Sequence, residues 1–414
     1  MESSAGEDEG AQDGGGQGDG SPAAEANAPE PLPEASVSSE AEAGTVDNDV
    51  AVEAHPPDEL PNAPGAGLLH TTAQLDFMRA HRTQEPWAAA MARVLDEANS
   101  SLGRTPAPPV DFNVPYYYAN PEESDAAKAC LHEDGVAAYV LALSYQLAET
   151  SAERSQYADK AVEILNAWGS VNKSVSGGDG TLLMVYKGVL LLYAADLVMN
   201  YEGWTPSARD TFMVWVDGVF AKSASDIKAR KNNWGDWGTL GAVASAGLHN
   251  DTTGVLIEVE RIKQRIETNI DANGEIPEEN LRTNSGMWYT FFALTSMTTA
   301  AHIARNTTGA NLFDFQAPNG RSIRLALDKL FFYCEHPDQW PYPLPDGILG
   351  QIQKLLYPCA DEVLVPQPDS WPGNLYEGVS DIYQVGAWED WVTPYRPQRG
   401  YHGWLYPTLM RQTP

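Results

Sequence analysis

Residues 124–148 read Ser-Asp-Ala-Ala-Lys-Ala-Cys-Leu-His-Glu-Asp-Gly-Val-Ala-Ala-Tyr-Val-Leu-Ala-Leu-Ser-Tyr-Gln-Leu-Ala. Ala127, Cys130, Leu131, Ala137, Ala138, Leu141, Ala142 and Tyr145 recur there at mixed spacings of three and four, which is the apolar stripe of a helix. Working outward, similar patterns occupy about 153–168, 180–200, 206–222, 235–249, 253–270, 282–305 and 319–334, with Gly, Pro and Asn between them. Thr205-Pro206 and Asp251-Thr252-Thr253 read as helix starts. Beyond Pro337 the pattern thins into Pro- and aromatic-rich sequence. The body is therefore all-α and built of helix hairpins. No 34-residue repeat signature is present, and irregular loops rich in Trp, Tyr, Gly and Asn lie at 111–121, 171–180, 231–237 and 271–284. Such loops on a rigid helical scaffold are where a groove is built. They favour an α/α toroid, a closed or incomplete ring of about six to seven hairpins, over an open solenoid.

The N-terminal side differs in kind. The first basic residue other than histidine is Arg79, while residues 1–60 hold 16 Asp and Glu among Gly, Ala, Pro and Ser. Such a stretch cannot bury enough apolar surface to offset its ordering entropy, so residues 1–64 are expected to be a disordered acidic tail and 65–414 the folded domain. Of the net charge of −31, the tail accounts for −16 and leaves −15 for the rest. An acidic body without a clustered basic face argues against a nucleic-acid partner. No uninterrupted run of 18 apolar residues suggests a membrane span, and no export signal opens the chain. Twelve Trp, 18 Tyr and Asn-x-Ser/Thr triplets at Asn99, Asn172, Asn250 and Asn306 would suit an exported protein whose signal lay before Met1. Three cysteines are too few for a disulfide scaffold; Cys334 and Cys359 could pair and leave Cys130 free, or all three could be buried thiols.

Two loops carry the chemistry. The first, Lys231-Asn232-Asn233-Trp234-Gly235-Asp236-Trp237, enters a helix of small residues. The second runs Asn273-Gly274-Glu275-Ile276-Pro277-Glu278-Glu279-Asn280-Leu281-Arg282 and continues Thr283-Asn284-Ser285-Gly286-Met287-Trp288-Tyr289. A helix beginning near Arg282 would place Arg282 and Tyr289, seven apart, on one face two turns from each other.

These segments resemble the alginate lyase superfamily, particularly polysaccharide lyase family 5 and the related family 38. Gly274, Pro277, Glu279, Arg282, Tyr289, Ala293 and Leu294 match a family segment of the form Asp-Gly-x-Leu-Pro-x-Glu-x-x-Arg with its following Tyr and Ala-Leu. Asn232, Asn233 and Trp237 match Asn-Asn-His-x-x-Trp, and Trp234 stands at its histidine. The resemblance implies an α/α toroid that cleaves β-1,4-linked uronans, poly-mannuronate or glucuronan, by syn β-elimination to 4,5-unsaturated ends. The C5 proton of a uronate is too weakly acidic while the adjacent carboxylate is charged, so donors must neutralise it, as in an oxyanion hole. Arg282 and Asn233 are the candidates. In β-mannuronate and β-glucuronate the C5 proton and the C4 oxygen lie on one side of the ring, so a single phenol, Tyr289, could be base and acid, with Arg282 favouring its phenolate.

Each of these residues has a structural alternative. Tyr289 could be a buried aromatic, Arg282 could pair with Glu278 or Glu279, and Asn232 and Asn233 could be a turn and an N-cap. The histidine missing at Trp234 is replaced best by His132, early in a long helix, and next by His402. Asn232, Trp234, Trp237, Trp288, Tyr116, Tyr117 and Lys187 complete the expected substrate-binding set, with Lys128 and Lys231 as further cations lining a groove. No zinc, calcium or nucleotide signature occurs, and no cofactor or metal is expected. A glycoside hydrolase would instead need two facing carboxylic acids, Asp236 and Glu279 being nearest, and a non-catalytic uronan-binding protein would have no use for Tyr289. The expected partner is an anionic polysaccharide, the expected state a monomer, and the expected location secreted or tethered to the cell surface.

Overall fold

Asn120 caps the first long helix by accepting from the Glu123 backbone N–H, and Pro121, Glu122 and Glu123 suit its first turn. That helix, Pro121–Leu147, turns at once into Ser151–Val171, where Thr150 and Glu153 form a capping box. The computed structural model describes residues 67–282, 286–336, 339–342, 371–400 and 403–413. In chain order the helices are α1 (Thr72–His81), α2 (Trp87–Ser101), α3 (Pro121–Leu147), α4 (Ser151–Val171), α5 (Gly180–Val198), α6 (Pro206–Trp215), α7 (Lys222–Ile227), α8 (Asn233–Leu248), α9 (Thr252–Asn269), α10 (Pro277–Asn280), α11 (Gly286–Thr308), α12 (Ile323–Glu335), α13 (Trp371–Tyr383), α14 (Gly386–Val392) and α15 (Pro407–Met410). A π-helical segment, Val216–Ala221, joins α6 to α7, so the helix expected at 206–222 continues to Ile227.

The helices pair as hairpins in an α/α toroid. Neighbouring inner helices α3, α5, α8 and α11 pack on one another, and α4, α6 with α7, α9 and α12 pack outside them. Burial follows the sequence pattern. The inner helices are apolar on most sides, whereas α9 and α12 carry one buried stripe each, including Val255, Val259, Ile262 and Ile266 on α9. Helix α5 is long and apolar enough by length and composition to cross a bilayer, although it contains Lys187 and Asp196. It is 83% buried inside the protein and serves as a core helix. The Asp196 carboxylate accepts the backbone N–H groups of Gly67 and Leu68 at 3.0 Å each and so ties that segment to α5.

One element was not expected. Asp111–Asn113 (β1) and Ser174–Ser176 (β2) pair as a two-stranded parallel sheet, which joins two of the irregular loops. The Asp111 carboxylate accepts both the Ser174 and Ser176 hydroxyls, and Phe112 is buried edge-on against Trp168. The start of the helix expected at 282–305 also shifts. Helix α11 begins at Gly286, and Arg282 follows the short α10 rather than opening a continuous helix to Tyr289. Cys334 is disulfide-bonded and Cys130 is free; Cys359 lies outside the described residues. Three of the four Asn-x-Ser/Thr side chains are engaged: Asn99 accepts the Tyr157 hydroxyl, and Asn172 and Asn306 donate to the carbonyls of Pro109 and Leu68.

Candidate active site

Four inner helices start at one end of the ring, and their starts are tied together there. The loop before α3 lies on the turn before α5. A Cβ on Gly177, at φ +83°, would fall 2.1 Å from the Val114 carbonyl oxygen, and one on Gly178 would fall 2.8 Å from Tyr116 Cβ. Asp179, at the start of α5, accepts the Tyr117 backbone N–H at 2.8 Å. This seats Tyr116, Tyr117 and Tyr118, all of them exposed, above the helix ends. Tyr118 then reaches α11, where its hydroxyl is hydrogen-bonded to that of Tyr289. The Arg282 guanidinium covers the Tyr289 ring at 4.0 Å, although Arg282 is not in α11 and the two do not share the helical spacing that the sequence suggested.

The first turn of α8 is held from two sides. Asn233 opens the helix, and both oxygens of the fully buried Glu279 carboxyl are committed to it, accepting the Asn233 backbone N–H at 2.5 Å and its Nδ2 at 2.7 Å. From α9, Arg265 donates to Asp236 at 2.6 Å and to the carbonyls of Arg230, Lys231 and Asn232. Asn232 therefore occupies the cap position, but its side chain makes no capping bond. The Oδ1 atoms of Asn232 and Asn233 are buried without a hydrogen-bond partner among the described residues. Two orphaned amide oxygens at one helix start are unusual enough to need a reason. Burial is also the main influence on Glu279, whose carboxyl is pushed up to about 7, with Asp236 adding to the rise and Asn233 and Arg282 opposing it.

The expected site residues fall into two groups. Arg282, Tyr289 and Trp288 gather near the Asn233–Glu279 pair, and Glu279 lies within electrostatic reach of Arg282 and Tyr289. Trp288 is half-buried, stacks on Phe292 at 4.9 Å and meets Tyr289 edge-on. The second group, Lys128, His132 and Lys187, lies on α3 and α5, with Lys128 over the Tyr117 ring at 5.2 Å. Tyr186 links the two, since it feels the charges of Asp179, Asp125 and Tyr289.

Several expectations need correction. Trp237 is fully buried among Tyr186 and Phe292 and fills the core instead of offering a sugar platform. Trp234 has one face covered by Arg230 at 3.9 Å, so a guanidinium stands beside the residue that replaces the family histidine. Arg282 does not give Tyr289 a low pKa. Burial and the Tyr118 hydrogen bond push that phenol well above its usual value and outweigh the arginine. His132 is pushed down to about 3 by burial and by the charges of Lys187, Arg399 and Lys128, so at neutral pH it is an uncharged imidazole. Glu278 and Glu279 form no salt bridge with Arg282 among the described residues, and Lys231 is exposed. His402 lies outside the described residues.

Sequence reading passed over Tyr118, Glu279 as the anchor of Asn233, and Arg265. Tyr118 had a visible signal, being third in a run of three tyrosines. Arg265 had none, because it sits 29 residues from Asp236 on an otherwise ordinary amphipathic helix.

Residues 74–340 match the alginate lyase family model. No curated protein matches the sequence significantly. Among solved structures, the chain is similar to a Tyr-to-Phe variant of alginate lyase A1-III complexed with tetrasaccharide, with a TM-score of 0.69 and 16% identity over 86% of this chain and 98% of the other. Alginate lyase A1-III from Sphingomonas species A1 gives a TM-score of 0.67 at 15% identity, covering 86% and 98%. An alginate lyase from Bacteroides ovatus gives 0.62 at 19%, covering 83% and 94%. At these identities the structural likeness is one of fold.

Proposed function

Because the chain belongs to the alginate lyase family and is a polysaccharide lyase that acts on uronan chains by β-elimination, we propose that Tyr289 performs both proton transfers on a β-1,4-linked mannuronate or glucuronate chain. The observation that carries this reading is the position of the Tyr289 hydroxyl. It lies where four inner helices begin, with Arg282 on its ring and the Asn233–Glu279 pair beside it. The positive ends of those helices, with Arg282, form a local field suited to a uronate carboxylate in a protein of net charge −31. Neutralising that carboxylate makes the C5 proton removable, because the developing enolate-like charge is met by fixed donors.

The step balances around one oxygen. The Tyr289 phenolate takes the C5 proton, the C5–H electron pair becomes the C4–C5 double bond, the C4–O4 bond breaks, and the phenolic proton passes to O4. Tyr289 is then a phenolate again. Since burial holds Tyr289 as a phenol in the free protein, turnover of the bound complex should rise with pH. The hydrolase alternative loses its acids, because Asp236 is engaged by Arg265 and both Glu279 oxygens by Asn233. The Cys334 disulfide supports placing the enzyme in an oxidising compartment, secreted or surface-tethered.

The test is to incubate the chelator-treated protein with polymannuronate, glucuronan and polyguluronate while following the absorbance of a new C4–C5 double bond. Signal is expected from at least one of the first two, and none from polyguluronate, whose C5 proton lies on the opposite side from O4. Saturated products carrying water would overturn the reading.

A further inference from the structure

Lys187 is a buried cation with no acid of its own. It lies in the second turn of α5, is only 5% exposed, and its ammonium has no hydrogen bond or salt bridge among the described residues. Its nearest ring is that of Tyr186, at 5.0 Å. The charged and titratable groups acting on it are Lys128, which opposes its charge, and Asp125, which favours it, both from α3. Asp125 is already salt-bridged to Lys128. His132, also on α3, feels Lys187, Lys128 and Arg399, and Arg399 is held by Glu97. A line of basic groups thus runs from Lys128, over the Tyr117 ring, to Lys187 and His132, in a protein of net charge −31. Burying an ammonium without a partner is costly, and a fold retains one only where something offsets the cost.

We propose that Lys187 is the receptor for the carboxylate of a second uronate unit, distinct from the one neutralised beside Tyr289, with Lys128 at the mouth of that subsite and His132 beside it. This deepens the lyase reading and rests on it. A neutral glycan offers the ammonium only uncharged hydroxyl and ring oxygens, so the subsite favours chains in which neighbouring units carry carboxylates. Burial and Lys128 lower the Lys187 ammonium to about 7, so part of the free protein holds a neutral amine there at physiological pH. A carboxylate favours the charged form, so binding takes up a proton and weakens as pH rises through that value.

The experiment measures binding of a β-1,4-mannuronate tetrasaccharide by calorimetry at pH 6 and pH 8.5, using the Tyr289→Phe variant so that the ligand survives. The affinity of this variant should fall between the two pH values. Adding Lys187→Met should weaken binding at pH 6 by about 10- to 100-fold, the scale of a charge-assisted hydrogen bond, and reduce the pH dependence to the part that Glu279, which titrates in the same range beside Asn233 and Arg282, contributes. Adding Lys187→Arg instead, which keeps a permanent charge, should preserve binding at pH 6 and leave the same reduced dependence as Lys187→Met. Lys187→Met should fold, since it replaces a buried cation by an apolar chain of similar length, and its melting temperature should not fall. Equal affinity of Tyr289→Phe with and without Lys187→Met at both pH values would overturn the inference while leaving the lyase reading intact. If Tyr289→Phe does not bind and the unmodified enzyme forms no unsaturated product, the lyase reading fails and this inference with it.

Discussion

Tyr289 and Glu279 are both driven by burial toward their protonated forms, but they serve different ends. Tyr289→Phe deletes the one oxygen proposed to move protons while keeping the ring under Arg282, so turnover should vanish and binding of the tetrasaccharide should survive. Substantial product from a correctly folded Tyr289→Phe protein would remove the single-phenol mechanism. Glu279 makes a prediction about stability instead. Its ordinary pKa is 4.5 and its folded value is about 7, so between those values the folded protein holds a proton that the unfolded chain has released. Stability should therefore decline as pH rises from about 4.5 to 7, by up to about 3 kcal/mol from this group. In Glu279→Gln that part of the decline should be absent, as urea titrations of both proteins at pH 5 and pH 7.5 would show. Identical pH dependence in the two would mean that Glu279 ionises normally. The motif made Arg282 and Tyr289 readable as partners in the sequence. The orphaned Asn233 oxygen and the Tyr118 contact were not readable, because they join residues from loops far apart in the chain.

The α8–α9 hairpin shows how one element holds the site in place. Arg265 lies on the inward stripe of α9 and collects the carbonyls of residues 230–232 together with Asp236, fixing the turn from which Asn232 and Asn233 emerge. Gly235 permits this closeness, because a Cβ there would fall 1.9 Å from the Arg230 carbonyl oxygen and 2.6 Å from Arg265 Nη1. Replacing Arg265 by Met would strand the buried Asp236 and should cost about 3–5 kcal/mol. Adding Asp236→Asn should recover part of that loss, and the shortfall in a double-mutant cycle reports their coupling. Independent, additive effects would show that the bridge does not organise the hairpin. Helix boundaries at this scale were largely legible, since Thr205 and Asp251 cap where their side chains allow. The β1–β2 pair was not, because three-residue strands carry too little pattern to announce themselves.

For the whole molecule, the contrast between acidic tail and helical body leads to a plain expectation. Deleting residues 1–60 should leave the melting temperature and turnover almost unchanged, since that composition supplies little apolar surface and the body is anchored from Gly67 onward by Asp196. A large loss of either would show that the acidic segment packs on the body or covers its groove.

The sequence by itself determined the helical class, the succession of hairpins and the motif linking Arg282 to Tyr289. These depend on local periodicity, capping and short spacings, which a linear chain displays directly. Tertiary structure decided which aromatics face the site and which fill the core, as Trp237 and Trp288 illustrate. It also decided that the Arg282 guanidinium covers the Tyr289 ring, and that Glu279 and Arg265 converge on the loop before α8, distant from both in sequence. The physical reason is that desolvation and long-range hydrogen bonding belong to an enclosed volume. That volume exists only after the inner helices have packed with their N-termini at one end.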